Sequence, residues 1–471
     1  MSAQVENVVL IVADALRPDR VGAYSGGELT PNIDQLAAEG QIFENCFACI
    51  NATDSSMTTL LTGLYPTSHG ILNHGKNITT EEMEYVSATT PLPQRLPSHY
   101  ETVAFDKLER WHDRGFDRYI NVNSSDEEGN HLLRHLSNAV QELPSPVERF
   151  IRRGYRTLRS GDPITESERL TKRVSAAIED ADSPFFHMVH YWDTHIPYLS
   201  REHHPDIIAE RKYDDTRPLD DVLDPIQGSQ WAEHLNRLRG TTRTVAEMSR
   251  KYDAGVWAVD NSIGQVIDKL RAEGVYDETA IIVTADHGES FTEHGIIFDH
   301  HGLYDSTVHV PLLIRAPGFE GRESDFVQHY DIVPTILDLL DIDYQEAAFD
   351  GVSLASSDIQ SLDRDAVYAE EGHTARRRMI RTDSYKYIKR LDNQTVCRYC
   401  GIQHAPEREL YDLDADPDEC QNIIDTNPDL AQELDEKLET WIERRQAPRK
   451  DDGSYELSSD VEDHLEEMGY L

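Results

Sequence analysis

The chain has 471 residues, with 87 acidic against 45 basic side chains and a formal net charge of −42. A surface of that sign repels polyanions, which excludes nucleic acid and anionic membrane faces as partners of the bulk chain. Disorder, the other common state of strongly acidic chains, is excluded by apolar runs and turn signals that recur throughout.

The length suits one large or two unequal domains around a sizeable core. Acid is dispersed along the whole chain and Arg greatly outnumbers Lys, the composition expected of a halophilic archaeal protein. The start, MSAQVENVVLIVADAL, carries no basic leader, and no stretch approaches membrane-spanning length. Five cysteines, an odd number, lead to the expectation of reduced thiols in a cytoplasm. Two C-x-x-C pairs occur, Cys46/Cys49 and Cys397/Cys400, with His404 close to the second. Buried free thiols are the default expectation; brought together, the two pairs would make a tetrahedral zinc site.

Residues 8–13, VVLIVA, read as a strand buried on both faces of a parallel sheet. It ends in Asp14, placed either to bind a metal or to cap a turn, since sites in open α/β sheets form at the carboxyl ends of strands. Pro31 to Ala38 reads as a short helix, and FENCF (43–47) as an edge strand. The stretch Asn51 to Gly70, NATDSSMTTLLTGLYPTSHG, then sets Thr53 at the head of a helical run. A hydroxyl there is either a helix cap or a nucleophile held where N–H groups and the helix dipole favour an anion.

Leu60-Leu61-Thr62-Gly63, followed by Tyr65-Pro66 and His69-Gly70, resembles the core of the sulfatase family, within the alkaline phosphatase superfamily. That family reads C-x-P-S-R-x-x-L-L-T-G, then Y-P and H-G. The resemblance puts Thr53 at the family's nucleophile, a Cys or Ser matured to formylglycine; threonine is not a substrate for that modification. Ser55 stands at the family's Pro and Met57 at its Arg. The chain therefore resembles superfamily branches that use an unmodified Thr, among them phosphodiesterases and phosphoglycerol transferases. The resemblance implies an alkaline-phosphatase-like α/β fold: a large, mostly parallel sheet flanked by helices, with a small C-terminal α+β subdomain. It further implies that Asp14 binds the ion, the family's second Asp being Ala15 here.

Further along, ETVAFD (101–106) reads as a strand, and Lys107, Trp111 and His112 follow it. They resemble the family's Gly-Lys-Trp-His run, which implies a Lys107 contact to the ester oxygens; an ordinary surface lysine is the alternative. Residues 121–180 are polar and helical in pattern, and 200–245 are dense in charge; both read as insertions. FFHMVHYW (185–192) reads as a strand in which His187 and His190 are packing residues. The following turn resembles the family's His-x-Pro, which implies that His195 contacts the ester or protonates the leaving group. Residues 247–273 show a helical core stripe through Met248, Tyr252, Val256, Val259, Ile263, Val266 and Ile267.

The strand AIIVTA (280–285) ends in Asp286-His287-Gly288, the family's metal-binding D-H-G. His300 falls where the family has a substrate Lys, counted back from Tyr304; it and His301 are expected to touch an ester oxygen or add a metal ligand. His294 and His309 read as structural. Beyond residue 355 the pattern becomes that of antiparallel strands, includes L-Y-D-L-x-x-D-P, and closes on a helix at 428–446. The expected division is a catalytic domain at 1–355 and a C-terminal subdomain at 356–471.

The implied chemistry is a metal-dependent hydrolase that cleaves phosphate mono- or diesters, or sulfate esters, through a covalent Thr53 intermediate. One divalent ion (Mn, Zn or Ca) would be held by Asp14, Thr53, Asp286 and His287. Lys107, His195, His300 and His301 would meet a small anionic ester, of a sugar or lipid head group. Alternatives are a phosphoryl transferase, a phosphosugar mutase, or an inactive binding homologue, and an oligomer is open to any of them.

Overall fold

The structure, a computed structural model, describes residues 4–121 and 165–445, apart from 183, 197, 199–207, 209–210, 230, 234, 236–241, 356–361, 363, 373–374, 398–399 and 404–405. Residues 122–164, part of the charge-dense stretch 200–245, and His404 fall outside the described residues.

Unbroken apolar runs cannot rest against water on either face, so they stack in the middle of a sheet covered on both sides. β1 (Asn7–Ala13) is buried at every position. It pairs in parallel with β5 (Phe185–Tyr191) and with β6 (Thr279–Ala285). Adding β2 (Gln41–Phe47), β3 (Glu101–Phe105), β4 (Arg118–Ile120), β7 (His309–Arg315) and β8 (Gly321–Gln328) gives an eight-stranded sheet, ordered β4-β3-β5-β1-β6-β7-β2-β8. Only the β6–β7 and β7–β2 pairings are antiparallel. The expected large, mostly parallel sheet is present.

The edge placement of FENCF is corrected: β2 lies between β7 and β8. A bulge interrupts its pairing between Phe43 and Cys46, which sets Glu44 and Asn45 at partly exposed positions while Phe43, Cys46 and Phe47 stay buried. The two polar residues mark the bulge rather than a free edge.

The flanking helices include α1 (Pro31–Ala38), α2 (Thr53–Thr62), α3 (Glu166–Asp180), α4 (Val245–Glu273) and α5 (Ile332–Leu339). α4 begins at the Thr244 cap, whose side chain accepts from the Glu247 N–H, and ends at Gly274 in the left-handed conformation. Its expected core stripe is buried throughout. α3, which the sequence reading placed in an insertion, buries Leu170, Val174, Ala177 and Ile178 and packs on α4 and β5. Those positions make one helical face, so α3 belongs to the layer that covers the sheet. Gly255 in α4 permits close approach to the turn after β5: a Cβ there would lie 2.1 Å from the Asp193 carbonyl oxygen.

A second sheet is antiparallel, ordered β12-β11-β10-β9, from β9 (Val367–Glu371), β10 (Arg377–Arg381), β11 (Tyr385–Arg390) and β12 (Arg408–Asp412). Helix α6 (Pro428–Glu443) covers it with Leu434, Leu438 and Ile442. Buried ion pairs tie it together and tie it to the large sheet: Arg377 meets Glu371 at 2.5 Å, and Lys386 meets both Asp305 and Glu419 at 2.5 Å. A parallel bridge joins Ile50 to Glu370, with the Glu370 N–H donating to the Cys49 carbonyl at 2.9 Å. No helix among the described residues is long and apolar enough to cross a membrane.

His187 is wedged beside Phe185 and Phe105, neither ring nitrogen has a hydrogen-bond partner, and burial, helped by Arg118, pulls its pKa from 6.5 to about 3. The unfolded chain therefore binds a proton that the folded chain refuses, so stability falls as pH drops from about 6.5 towards 3. His187→Leu should remove up to about 1.4 kcal/mol per pH unit from that slope in urea titrations between pH 6 and 4. Gly255→Ala should cost about 1–3 kcal/mol by overpacking, read as a lowered denaturation midpoint.

Candidate active site

The parallel register sets Ala13 opposite Ala285. The next residue in each chain segment is an aspartate, so two carboxylates, Asp14 and Asp286, arrive together at the carboxyl edge of the sheet. Both are fully buried. Burial, and then the charge of Asp286, push the Asp14 pKa well up. Burial works the same way on Asp286, but His287, His190 and the N–H groups of Ala15 and His287 outweigh it and hold that carboxyl down.

β5 supplies the third donor from the other side of β1. His190 sits in register with Val12, and its Nε2 is 3.6 Å from Asp14 Oδ2. One ligand atom each from Asp14, His190 and Asp286 lie within 4.8 Å of one another. The expectation that His190 is a packing residue is thus corrected, whereas His187 does pack. The ring is oriented from behind: His190 Nδ1 lies 2.9 Å from Asp106 Oδ1. Asp106 also accepts from Tyr119 Oη at 2.7 Å and from Trp192 Nε1 at 3.2 Å. Burial opposes its charge, but His190 and Tyr119 hold its carboxyl well below the usual range. A charged Asp106 accepts the hydrogen bond from Nδ1–H, which leaves the Nε2 lone pair facing Asp14.

A cation fits this place. Both Asp14 carboxylate oxygens, Asp286 Oδ2 and His190 Nε2 are buried without a hydrogen-bond partner. Convergent donors of that kind are costly unless an ion satisfies them. The oxygen-rich set with one imidazole suits a divalent ion such as Mn, Zn or Ca. Ala15 stands where the resemblance has a second Asp, and His190 offers a nitrogen donor from a different strand.

Thr53 is the first residue of α2, not its cap: the cap position is Ala52, and no side chain caps there. The Thr53 hydroxyl is directed into the site, with Oγ1 3.1 Å from His287 Nε2. His287 Nδ1 donates to the Gly288 carbonyl at 2.8 Å, so Nε2 is the accepting nitrogen, and burial keeps the ring neutral by lowering its pKa. The same Nε2 lies 3.3 Å from Asp286 Oδ2. His287 is therefore close enough to serve the ion, the hydroxyl, or both.

All ten residues of α2 are buried, although most are polar, because their hydroxyls find partners. Ser56 Oγ donates to the Asp286 carbonyl at 2.6 Å, Ser55 Oγ to the Ile71 carbonyl at 2.5 Å, and Thr58 Oγ1 to the Asp54 carbonyl at 2.6 Å. Asp54 pairs with Arg110, with His74 at 2.9 Å and with the Gly75 N–H at 2.8 Å.

The substrate-side candidates divide. Lys107 Nζ is 2.6 Å from Glu166 and 4.6 Å from the Trp192 ring centre, near enough for its charge to act on Asp14. His195 is buried, bonded through Nδ1 to the Ile196 carbonyl, and pulled by burial to a pKa of about 3. At neutral pH it is a neutral ring in the free protein, so a role as acid requires a proton taken up with the substrate. His300 stacks on His287 with ring centres 4.1 Å apart, and its Nδ1 bonds to the Asn51 carbonyl. His301 is corrected as a substrate contact: its Nδ1 meets Asp299 at 2.9 Å and its Nε2 meets Cys397 Sγ at 3.8 Å. His294 and His309 stack on Tyr304 and Phe47, as structural residues do. Cys46 and Cys49 are buried and do not join Cys397 and Cys400, so the four-cysteine site is not formed.

His190, Asp106 and His74 were missed from sequence. A signal existed for His190: strand alternation sets it one residue short of the carboxyl end of β5, beside the end of β1, whereas His187 lies deep in the strand.

Such a site on such a sheet defines an α/β ester hydrolase. Residues 6–342 match the sulfatase family and residues 292–447 match the N-sulphoglucosamine sulphohydrolase C-terminal family. The chain belongs to the sulfatase family. It is 27% identical to the uncharacterised sulfatase YidJ of Escherichia coli (strain K12), over 89% of this chain and 83% of that one. It is 24% identical to N-acetylglucosamine-6-O-sulfatase of Bacteroides thetaiotaomicron, over 89% of this chain and 82% of the relative. Among solved structures, the phosphonate monoester hydrolase of Agrobacterium radiobacter shares the fold with a TM-score of 0.66 at 20% identity, over 96% of this chain and all (100%) of that one.

His190→Ala should lower divalent-ion affinity at least tenfold, and Asp106→Asn by roughly 10–100-fold through loss of ring orientation. Isothermal titration with Mn or Zn after chelation checks both, with Lys389→Ala, remote from the site, as control.

Proposed function

We propose that the protein hydrolyses small phosphate, phosphonate or sulfate esters with unmodified Thr53 as the nucleophile. The observation that carries this is the Thr53 hydroxyl at the first turn of a buried helix, 3.1 Å from His287 Nε2 and next to the Asp14, His190 and Asp286 donors. Those three residues would hold one divalent ion, which when bound supplies charge to polarise the ester and lower the hydroxyl pKa.

His287 Nε2 is the atom set to receive the Thr53 proton, because the Gly288 carbonyl keeps the other proton on Nδ1. The first turn of α2 adds N–H dipoles that favour the oxyanion as it forms. Lys107 and His300 stand where charge on the ester oxygens is offset, Lys107 after exchanging its Glu166 partner for the substrate. His195 stands near the leaving oxygen. Water then releases the group from Thr53.

Threonine favours phosphorus over sulfur. A formylglycine hydrate sheds sulfate by re-forming its carbonyl, breaking the C–O bond, whereas a sulfated threonine must be attacked a second time at sulfur. Phosphoryl transfer to and from a hydroxyl is the easier double displacement. The sulfatase relatives keep sulfate esters of sugars as the second substrate class.

The test compares nitrophenyl phosphate, phosphodiester, phosphonate and sulfate esters, in high salt with Mn, Zn or Ca. Phosphorus esters should turn over, and Thr53→Ala should lose at least about a thousand-fold in kcat while retaining its metal. Thr53→Ser should keep measurable activity. Full activity in Thr53→Ala, or turnover of the sulfate ester alone, would overturn the proposal in its nucleophile or its phosphorus preference respectively.

A further inference from the structure

Among the described residues, one cluster of soft ligands outside the catalytic edge has no use in the mechanism. Cys397 and Cys400 belong to a tight turn closed by the Val396–Gln403 bridge, by the Cys397 N–H to the Ile402 carbonyl at 2.9 Å, and by the Gly401 N–H to the Cys397 carbonyl at 3.1 Å. Gly401 takes a left-handed φ of 72°, which a side chain would resist. The turn aims the Cys400 N–H at Cys397 Sγ, 3.4 Å away, a contact that favours a thiolate.

His301 reaches this turn from 96 residues earlier in the chain, with Nε2 3.8 Å from Cys397 Sγ. Behind it, Asp299 lies 2.9 Å from Nδ1. A carboxylate on Nδ1 fixes the tautomer that presents Nε2 as a ligand, the usual arrangement behind a metal-binding histidine. One ligand atom from each of His301, Cys397 and Cys400 falls within 4.8 Å of the others, and all three residues are buried. Zinc bonds of about 2.3 Å to sulfur and 2.0–2.1 Å to nitrogen make a tetrahedron with edges of about 3.5–3.8 Å. The histidine–thiol edge already has that length.

We infer that His301, Cys397 and Cys400 hold a second metal ion of the zinc class, apart from the catalytic ion, with Asp299 orienting the histidine. Three soft or borderline donors select zinc over calcium or manganese, and one corner of the tetrahedron is left to a further donor. The ion joins the hairpin between β11 and β12 to the loop that follows β6. His300, next in sequence to His301, is the ring stacked on His287, so the ion also steadies that side of the catalytic site. Ion binding displaces to solvent the protons held among the two thiols and His301, and changes no oxidation state.

The test uses the full chain, purified without added metal and then loaded with Co(II) after chelation. Metal analysis should find one tightly held zinc per chain in the purified protein. The cobalt form should show an intense near-ultraviolet thiolate-to-cobalt band that weakens in Cys397→Ser and persists in Asp14→Asn. Persistence in Asp14→Asn separates this ion from the catalytic one, so failure of either site is seen independently of the other. Should the serine variant not fold, titration of the wild-type thiols with a mercurial should release the zinc in step with two thiols. A cobalt form without a thiolate band would overturn the inference, as would zinc absent from a protein carrying a Cys397–Cys400 disulfide.

Discussion

Two buried carboxylates placed side by side repel each other and resist burial, and the rest of the catalytic edge is arranged around that conflict. The register of β1 and β6 makes it unavoidable, since the residues after Ala13 and Ala285 are Asp14 and Asp286. Coulomb repulsion at such range in a poorly polarisable interior costs several kcal/mol unless a proton or a cation intervenes. Backbone N–H groups of Ala15 and His287, each about 3 Å from Asp286 Oδ1, steady one member of the pair. His190, charged Asp106 and the buried threonine-serine helix complete a shell that makes sense around a cation. A left-handed backbone at Ala15, φ 57°, helps turn its N–H toward Asp286.

Most of the fold, and the two aspartates, were legible because strands buried on both faces leave unbroken apolar runs that end in their chemistry. VVLIVA-Asp14 and AIIVTA-Asp286-His287 are each a strand and its site in one line. The helix of α4 was equally plain from its stripe. What escaped depended on partners far away in the chain. His187 and His190 share one strand, but His190 stands next to its carboxyl end, and Asp106, 84 residues earlier, orients its ring toward Asp14. α3 was hidden because its charged residues outnumber the four apolar residues that seat it. β2 was misplaced because a bulge and an edge both expose two polar residues in succession.

The same long-range dependence governs the cysteines. Spacing alone invited a four-cysteine site, but Cys46 and Cys49 are consumed by the packing of β2 and the segment after it, where burial raises both thiol pKa values. The second pair finds its histidine across the chain instead. Charge is handled in the same economical way. With few lysines available, Lys386 and Lys107 are each held by a specific, partly buried carboxylate.

The bridge between Ile50 and Glu370 has a consequence for how this chain can be rearranged. Ile50 stands three residues before Thr53, so the small sheet supplies a backbone partner to the segment that delivers the hydroxyl. The match to the C-terminal family likewise starts at residue 292, well inside the large sheet. The two sheets are consequently poor candidates for modular exchange. A chimera that took its C-terminal sheet from another member would keep Asp14, His190 and Asp286 at the carboxyl edge of the large sheet and still lose the backbone partner of the segment that leads to Thr53.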